Sequence, residues 1–281
     1  MTAQTSRPVA VEELLRAWHA VQDGAFRHPA RPQAVASVTP PLATVGTPKP
    51  AERWTPTSGE LVVPVVGAAG SCGATTVALA LATVVEGRAR VVECASASMS
   101  GLAAASMTEL GADDHGWVHG TRDQVRLDRA PGVRTHPDAV PTPSPIDTRE
   151  VTVIDVGFRV EQVLDGHAWL SSLLTNAGSV VVVARATIPG LRRLESTLHL
   201  LDAERTIAAV LGQPRRRWPR AAAHGVGGLT AALVADGRLV EIPEDRTLAL
   251  HGLTPAPLPA RLLTAAGALL SLIEGTPHHA H

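Results

Sequence analysis

Short apolar segments alternate with segments of helical periodicity from about residue 60 to near the end of the chain. A strand that is apolar throughout carries apolar side chains on both faces, so helices must cover both faces of its sheet. Right-handed crossovers between such strands wind the helices onto both sides. The pattern therefore predicts a doubly wound, mostly parallel α/β sheet. The predicted strands are 61–66, 90–94, 124–128, 151–156, 179–184, 207–211 and 239–242, and the predicted helices are 75–85, 164–175, 188–201, 229–235 and 260–273.

The composition of the chain predicts three parts. Residues 1–59 contain an amphipathic helix over 10–22 and a proline-rich linker over about 24–58. Residues 60–275 form the α/β domain, and 276–281 form a disordered tail. The helix over 10–22 either docks on a partner protein or folds back on its own domain, and the sequence leaves both interpretations open.

Composition also excludes several classes of protein. The 281 residues carry 25 basic and 26 acidic side chains, and the net charge of −1 excludes a histone-like nucleic-acid binder. Two cysteines cannot build a disulfide framework, and no signal peptide or apolar run of ~18–20 residues is visible. We therefore expect a cytoplasmic protein without a transmembrane segment. Lys49 is the one lysine and Asn176 the one asparagine, a bias that indicates a GC-rich, actinobacterial gene.

A glycine-rich loop over residues 67–76 follows the first predicted strand and opens the first predicted helix. Small residues let backbone N–H groups curl around an anion, and the helix N-terminus adds a partial positive charge. The Thr75 hydroxyl suits Mg²⁺, and the Thr76 hydroxyl suits a phosphate oxygen. The candidate nucleotide-binding residues are Gly70, Ser71, Cys72, Gly73, Ala74, Thr75 and Thr76.

This loop resembles the deviant Walker A motif KGGxGKTT of the ParA/MinD group of P-loop ATPases. It keeps both glycines and both threonines of the motif, but alanine stands at Ala69 and Ala74 where the family has lysine. The sequence VTVIDVG resembles the family's Walker B strand, which places Asp155 where the Mg²⁺-associated aspartate lies. Residues 240–252 are similar to a family segment that lies beside the nucleotide base. The resemblance covers residues 60–274.

Two departures from the family bear on catalysis. In the family a second strand ends in DxD, and its second aspartate is needed for hydrolysis, whereas this chain has Glu93 and Ala95. Glu93 either holds Mg²⁺ together with Thr75 and Asp155 or is merely solvated nearby. Each charged contact that is lost to a transferring phosphate costs a few kcal/mol of barrier. The missing lysines and aspartate therefore predict very slow hydrolysis, if any.

The resemblance accordingly implies a nucleotide-binding pseudo-ATPase that takes ATP and Mg²⁺, acts in positioning or partitioning of DNA or of a protein assembly, and forms a homodimer. An alternative is a non-enzymatic interaction or DNA-associated scaffold, in which the 67–76 loop is only a tight strand–helix connection. A third reading is a working ATPase in which an arginine, such as Arg159 or Arg185, replaces the lysines.

A dense basic cluster follows the predicted strand over 207–211. Such a cluster either contacts nonspecific DNA or a partner protein, or is a solvated loop whose arginine stems cover the tryptophan. The cluster consists of Arg215, Arg216, Arg217, Trp218 and Arg220.

Overall fold

A computed structural model describes Arg16, His19 and residues 54–96, 99–146, 151–218, 220–224 and 226–275. The chain divides into two units, residues 1–49 and 50–281, and the fold below is that of the second unit. Most of the predicted helix over 10–22, most of the predicted linker and the whole predicted tail lie outside the described residues. Arg16 and His19 are both helical and exposed.

One sheet of nine strands organises the described residues. Its order is β3-β4-β5-β2-β6-β1-β7-β8-β9. All neighbouring pairs from β5 to β9 are parallel, whereas β4 is antiparallel to both β3 and β5. The strands are β1 (Leu61–Gly67), β2 (Ala89–Glu93), β3 (Thr108–Ala112), β4 (Val118–Arg122), β5 (Val125–Arg129), β6 (Val151–Asp155), β7 (Val180–Arg185), β8 (Thr206–Gly212) and β9 (Leu239–Pro243).

Helices lie between β1 and β2, β2 and β3, β6 and β7, β7 and β8, and β8 and β9, and two more follow β9. None in the described part of the chain has the length and apolar character that a bilayer crossing requires. Short 3₁₀ turns lie at Pro137–Ala139, Ala203–Arg205 and Arg215–Arg217. The α-helices are α1 (Ala74–Thr83), α2 (Leu102–Ala105), α3 (Val160–Leu164), α4 (Trp169–Asn176), α5 (Ile188–Leu198), α6 (Arg220–His224), α7 (Gly228–Ala235), α8 (Arg246–His251) and α9 (Ala260–Gly275).

Each face of the sheet has its own hydrophobic core, as the continuous apolar strands predict. On β7, Val181 and Val183 point into a core shared with α1 and α9. Val180 and Val182 point into the opposite core, shared with α4 and α5. Helices therefore cover both faces, and the prediction of a doubly wound, mostly parallel α/β sheet is confirmed.

Helix α1 is held in place by burial on all sides. Residues 77–82 of this helix are all buried, and it packs on α9 and on β6. A helix that is apolar all round belongs in the interior of a protein. This packing fixes the N-terminus of α1 just beyond the carboxyl end of β1, next to the carboxyl end of β6.

The helix predicted over 164–175 begins too early: the structure has α4 over Trp169–Asn176 and a separate short helix, α3, that ends at Leu164, with a break between them. Asp138 stabilises the break, since its Oδ1 accepts hydrogen bonds from the backbone amides of His167 and Ala168, each at 3.0 Å. Gly166 leaves room for that carboxylate, because a Cβ there would lie 2.7 Å from Asp138 Oδ1. The break after α3 therefore depends on a side chain that is distant in sequence, which the local apolar periodicity does not reveal.

Candidate functional site

The 67–76 loop curls tightly between β1 and α1. The Ala68 amide donates to the Val183 carbonyl at 2.9 Å, which ties the start of the loop to β7. Ser71 and Gly73 have φ values of 57° and 97°, in the left-handed region that is uncommon for serine. A Cβ at Gly67 would lie 2.8 Å from Cys72 Sγ, so the loop closes over its own first residue. Successive amides in such alternating conformations form a concave donor surface that suits an anion.

Gly70 lies at the outer side of the loop, where the chain itself does not require a glycine. Gly70 is exposed, and a Cβ added there would meet no atom within 4 Å. The space outside this residue is therefore open to a ligand, and a side chain at position 70 would occupy it. Cys72 points the other way, into the core under α1, and burial raises the pKa of its thiol.

Thr75 and Asp155 meet at the N-terminus of α1. The Thr75 hydroxyl donates to Asp155 Oδ2 at 2.6 Å. Asp155 Oδ1 is buried and has no hydrogen-bond partner among the described residues. Burial raises the pKa of Asp155 to about 6, and the Thr75 hydrogen bond only partly offsets that rise. An unpartnered carboxylate oxygen beside a hydroxyl at a helix N-terminus is a donor set that fits Mg²⁺.

Glu93 adds a second carboxyl group beside this pair. It is the register partner of Asp155 on the adjacent strand, it is 1% exposed, and its Oε1 accepts a hydrogen bond from Ser100. Burial and then the charge of Asp155 raise the pKa of Glu93 to about 8, against the lowering effect of Arg129. Glu93 is therefore not solvated, and at neutral pH it is largely protonated.

The described residues hold no group of three or more His, Cys, Asp or Glu side chains suited to a metal ion.

Ala95, at the position of the family's second aspartate, packs against the strand next to it. It is 5% exposed, and a Cβ at Gly157 would come within 2.4 Å of the Ala95 Cβ. Gly157 has a φ of 68°, which a glycine adopts freely. The backbones that leave β2 and β6 therefore approach each other closely at this point.

The two arginines that could replace the lysines each form an ion pair at the surface. Arg185 forms an ion pair with Glu244 at 2.5 Å, and Arg159 forms one with Glu161 at 3.3 Å. Lys49 lies outside the described residues. Arg129, which is not among the predicted site residues, ends β5 at the same edge of the sheet and has a side chain only 10% exposed. Its position directly after a predicted strand was the signal that could have identified it.

The basic cluster is divided between surface and core. Arg215–Arg217 form an exposed 3₁₀ turn. Trp218 is 8% exposed, packs in the core with α4 and α5, and donates from Nε1 to the Gln213 carbonyl at 2.8 Å. Arg220 begins α6 and is exposed. The arginines of the turn thus face solvent, while the tryptophan anchors it.

No protein-family model matches the chain, and no curated protein matches it significantly. Several solved structures are similar to it. McdA from Cyanothece in complex with ATP has a TM-score of 0.48 at 10% identity, over 80% of this chain and 100% of that one. A ParA family ATPase from Chlorobium tepidum has a TM-score of 0.45 at 14% identity, over 78% and 94%. The cell division ATPase MinD from Pyrococcus furiosus has a TM-score of 0.43 at 17% identity, over 76% and 99%. With identities this low, the likeness alone assigns neither family nor function.

Proposed function

We propose that this chain is a ParA/MinD-like nucleotide-binding protein that holds ATP and Mg²⁺ at the 67–76 loop and hydrolyses ATP very slowly. One observation carries the proposal: Asp155 presents a buried, unpartnered carboxylate oxygen beside the Thr75 hydroxyl, at the N-terminus of the helix that the loop opens. A buried carboxylate oxygen without a hydrogen-bond partner lowers the stability of the folded state unless a cation or a donor satisfies it.

The loop supplies the groups that would hold the phosphates. The backbone amides of residues 70–74 and the hydroxyl of Thr76 would donate to phosphate oxygens, and the open space at Gly70 admits the ligand. Thr75 and Asp155 would hold the Mg²⁺, with Glu93 next to them. Mg²⁺, when bound, neutralises charge on the terminal phosphates.

Slow hydrolysis follows from the same residues. Alanine at Ala69 and Ala74 leaves the loop without the two ammonium groups that stabilise a transferring phosphate in the family. Ala95 offers no carboxylate to the attacking water. We further propose that the bound state positions or partitions DNA or a protein assembly, as a homodimer, with the exposed arginines of Arg215–Arg217 as one contact surface.

Thermal unfolding with and without Mg²⁺-ATP, ADP and GTP tests the proposal, with phosphate release followed in parallel. A ligand at about 100 times its Kd stabilises the native state by ~2.7 kcal/mol, so ATP should raise the midpoint by several degrees. Thr75→Ala should abolish the shift. Thr83→Ala is the matched control, because Thr83 lies on the same helix and its hydroxyl contacts only the Leu79 carbonyl, at 2.7 Å.

Two results would contradict the proposal. No shift at millimolar nucleotide would leave the 67–76 loop as a structural turn and favour the scaffold alternative. Rapid phosphate release would show instead a working ATPase in which another cation has replaced the lysines.

A further inference from the structure

A row of charged side chains crosses the carboxyl end of the sheet beside the 67–76 loop. Arg129 on β5 is the register partner of Glu93 on β2, which is the register partner of Asp155 on β6. Residues in register on parallel strands point to the same face, and Val91 and Leu127, two positions earlier on these strands, pack in the core under α1. Neighbouring strands lie about 4.8 Å apart, so the Cα of Arg129 lies about 10 Å from that of Asp155. Arg129 can therefore reach an anion that is bound beside Asp155.

The guanidinium of Arg129 has unused bonding capacity. Its side chain is 10% exposed, and its Nη2 donates to Glu109. Its Nε is buried and has no hydrogen-bond partner among the described residues. A buried N–H donor without a hydrogen-bond partner raises the free energy of the folded state. The Arg129 guanidinium can therefore donate to a further anion.

The present partner of Arg129 is one that a phosphate can replace. Glu109 lies on the edge strand β3, every residue of which is exposed, and the Glu109 side chain is 54% exposed. Ion pairs that face water contribute little to stability because solvent screens them. A multiply charged phosphate at a more buried position would attract the guanidinium more strongly.

We propose that Arg129 binds the terminal phosphate of the nucleoside triphosphate and supplies the positive charge that the 67–76 loop lacks. The inference rests on the proposed function. On binding, Arg129 leaves Glu109 and turns toward Asp155. Arg129 lies on the Asp155 side of β1, away from β7. A role at the terminal phosphate implies contact with a triphosphate and not with the shorter diphosphate.

Titration calorimetry with Mg²⁺-ATP and Mg²⁺-ADP tests this assignment in four proteins: wild type, Arg129→Gln, Glu109→Gln and Arg126→Gln. Arg129→Gln should weaken ATP binding by at least about tenfold, the loss expected for one charged hydrogen bond, and change ADP binding little. Glu109→Gln should tighten ATP binding, because it releases Arg129. Arg126→Gln, on the same strand but the opposite face, should not change either affinity.

The other outcomes contradict either the role of Arg129 or the proposed function. Equal ATP affinity in wild type and Arg129→Gln refutes the role of Arg129 but leaves the proposed function standing. Weaker ATP binding in Glu109→Gln shows that the ion pair itself supports the site, and also refutes the inference. If Arg129→Gln does not fold, the Glu109→Gln result decides alone: tighter ATP binding supports the inference, and unchanged ATP binding refutes it. No nucleotide binding by the wild type refutes the proposed function and this inference with it.

Discussion

Glu93 and Asp155 are register partners on adjacent parallel strands, and both of their carboxyl groups are buried on the same face of the sheet. Two carboxylates this close cannot both ionise without cost, because each raises the free energy of the other's charged form. Burial and the charge of Asp155 raise the pKa of Glu93 to about 8, and burial raises the pKa of Asp155 to about 6. A second negative charge on this pair is therefore disfavoured.

Glu93→Gln should change how stability depends on pH. The native state holds a proton on Glu93 up to about pH 8, whereas the unfolded chain releases it near pH 4.5. The free energy of unfolding of the wild type should therefore fall as pH rises through that interval, by on the order of a few kcal/mol, and level off above it. Glu93→Gln should remove that part of the decline. Urea unfolding from pH 5 to pH 8.5 measures the difference.

Glu86→Gln serves as the control for this experiment, because Glu86 is exposed just beyond the end of α1. Its pH profile should run parallel to that of the wild type. A Glu93→Gln profile that is also parallel would show that Glu93 ionises in the native state as it does in the unfolded chain.

Arg90→Met should be strongly destabilising. Arg90 is fully buried and lies 3.1 Å from Glu60 Oε1 and 3.7 Å from Asp128 Oδ2. Removing the cation breaks the buried ion pair with Glu60 and takes one of its cationic partners from Asp128, and breaking a buried pair in this way costs ~3–5 kcal/mol. Arg126→Gln, whose side chain is 42% exposed beside Asp128, should cost less than ~1 kcal/mol. Equal midpoints in urea for the two variants would contradict the prediction.

Gly157→Ala should destabilise the protein more than Gly237→Ala. Both glycines have positive φ values, 68° and 70°, so both substitutions carry the ~1–2 kcal/mol cost of a left-handed residue. At Gly157 the new methyl group also meets the Ala95 Cβ at 2.4 Å, whereas at Gly237 it meets nothing within 4 Å. Overpacking adds ~1–3 kcal/mol at Gly157 alone. Thermal unfolding of both variants measures the difference in their stability. Equal midpoints would show that the backbones at Gly157 and Ala95 move apart to admit the methyl group.

Neutralising the exposed arginine turn should weaken any binding to nonspecific duplex DNA. Arg215, Arg216 and Arg217 all face solvent, and three phosphate contacts predict an affinity that falls about 40-fold between ~50 and ~200 mM salt. Replacing all three by glutamine should remove that salt dependence. Replacing Arg192 and Arg193, exposed on α5, should preserve it. Fluorescence anisotropy gives the affinities, and a salt-independent wild type would argue against a DNA contact.

The sequence predicted the strands that are buried on both faces. The strand predicted over 179–184 covers nearly all of β7. A run of valines is stable in a strand only where both faces of the sheet are buried, so the pattern identifies a central strand. The strands β3 and β4 were not predicted. All of β3 is exposed, so it lacks an apolar pattern, and β4 ends in the buried Arg122. That arginine is satisfied by the carbonyls of Thr254 and Ala256, at 2.6 and 2.5 Å, which no local pattern reveals.

Part of the candidate site follows from the resemblance to the ParA/MinD motifs. The resemblance assigns Thr75 and Asp155 to one Mg²⁺ site, and the fold brings their side chains to 2.6 Å. Partners of charged residues were not predictable in the same way. Arg185 was considered for the loop but pairs with Glu244, and Arg129 was missed. Apolar periodicity reports which side chains are buried, whereas the partner of a charge depends on residues that the fold brings from far along the chain.

The central position of β1 in the sheet has a consequence for how the protein is made. Leu61 pairs with Val151, and Val65 pairs with Val181, so the first hydrogen-bonding neighbour of β1 is made only when synthesis has passed residue 155, and the second only when it has passed residue 185. A chain released before residue 151 exposes an apolar strand with both edges free, which can pair with other chains. The 67–76 loop therefore acquires its shape late in synthesis, and premature termination should yield an aggregating fragment without a partly formed site.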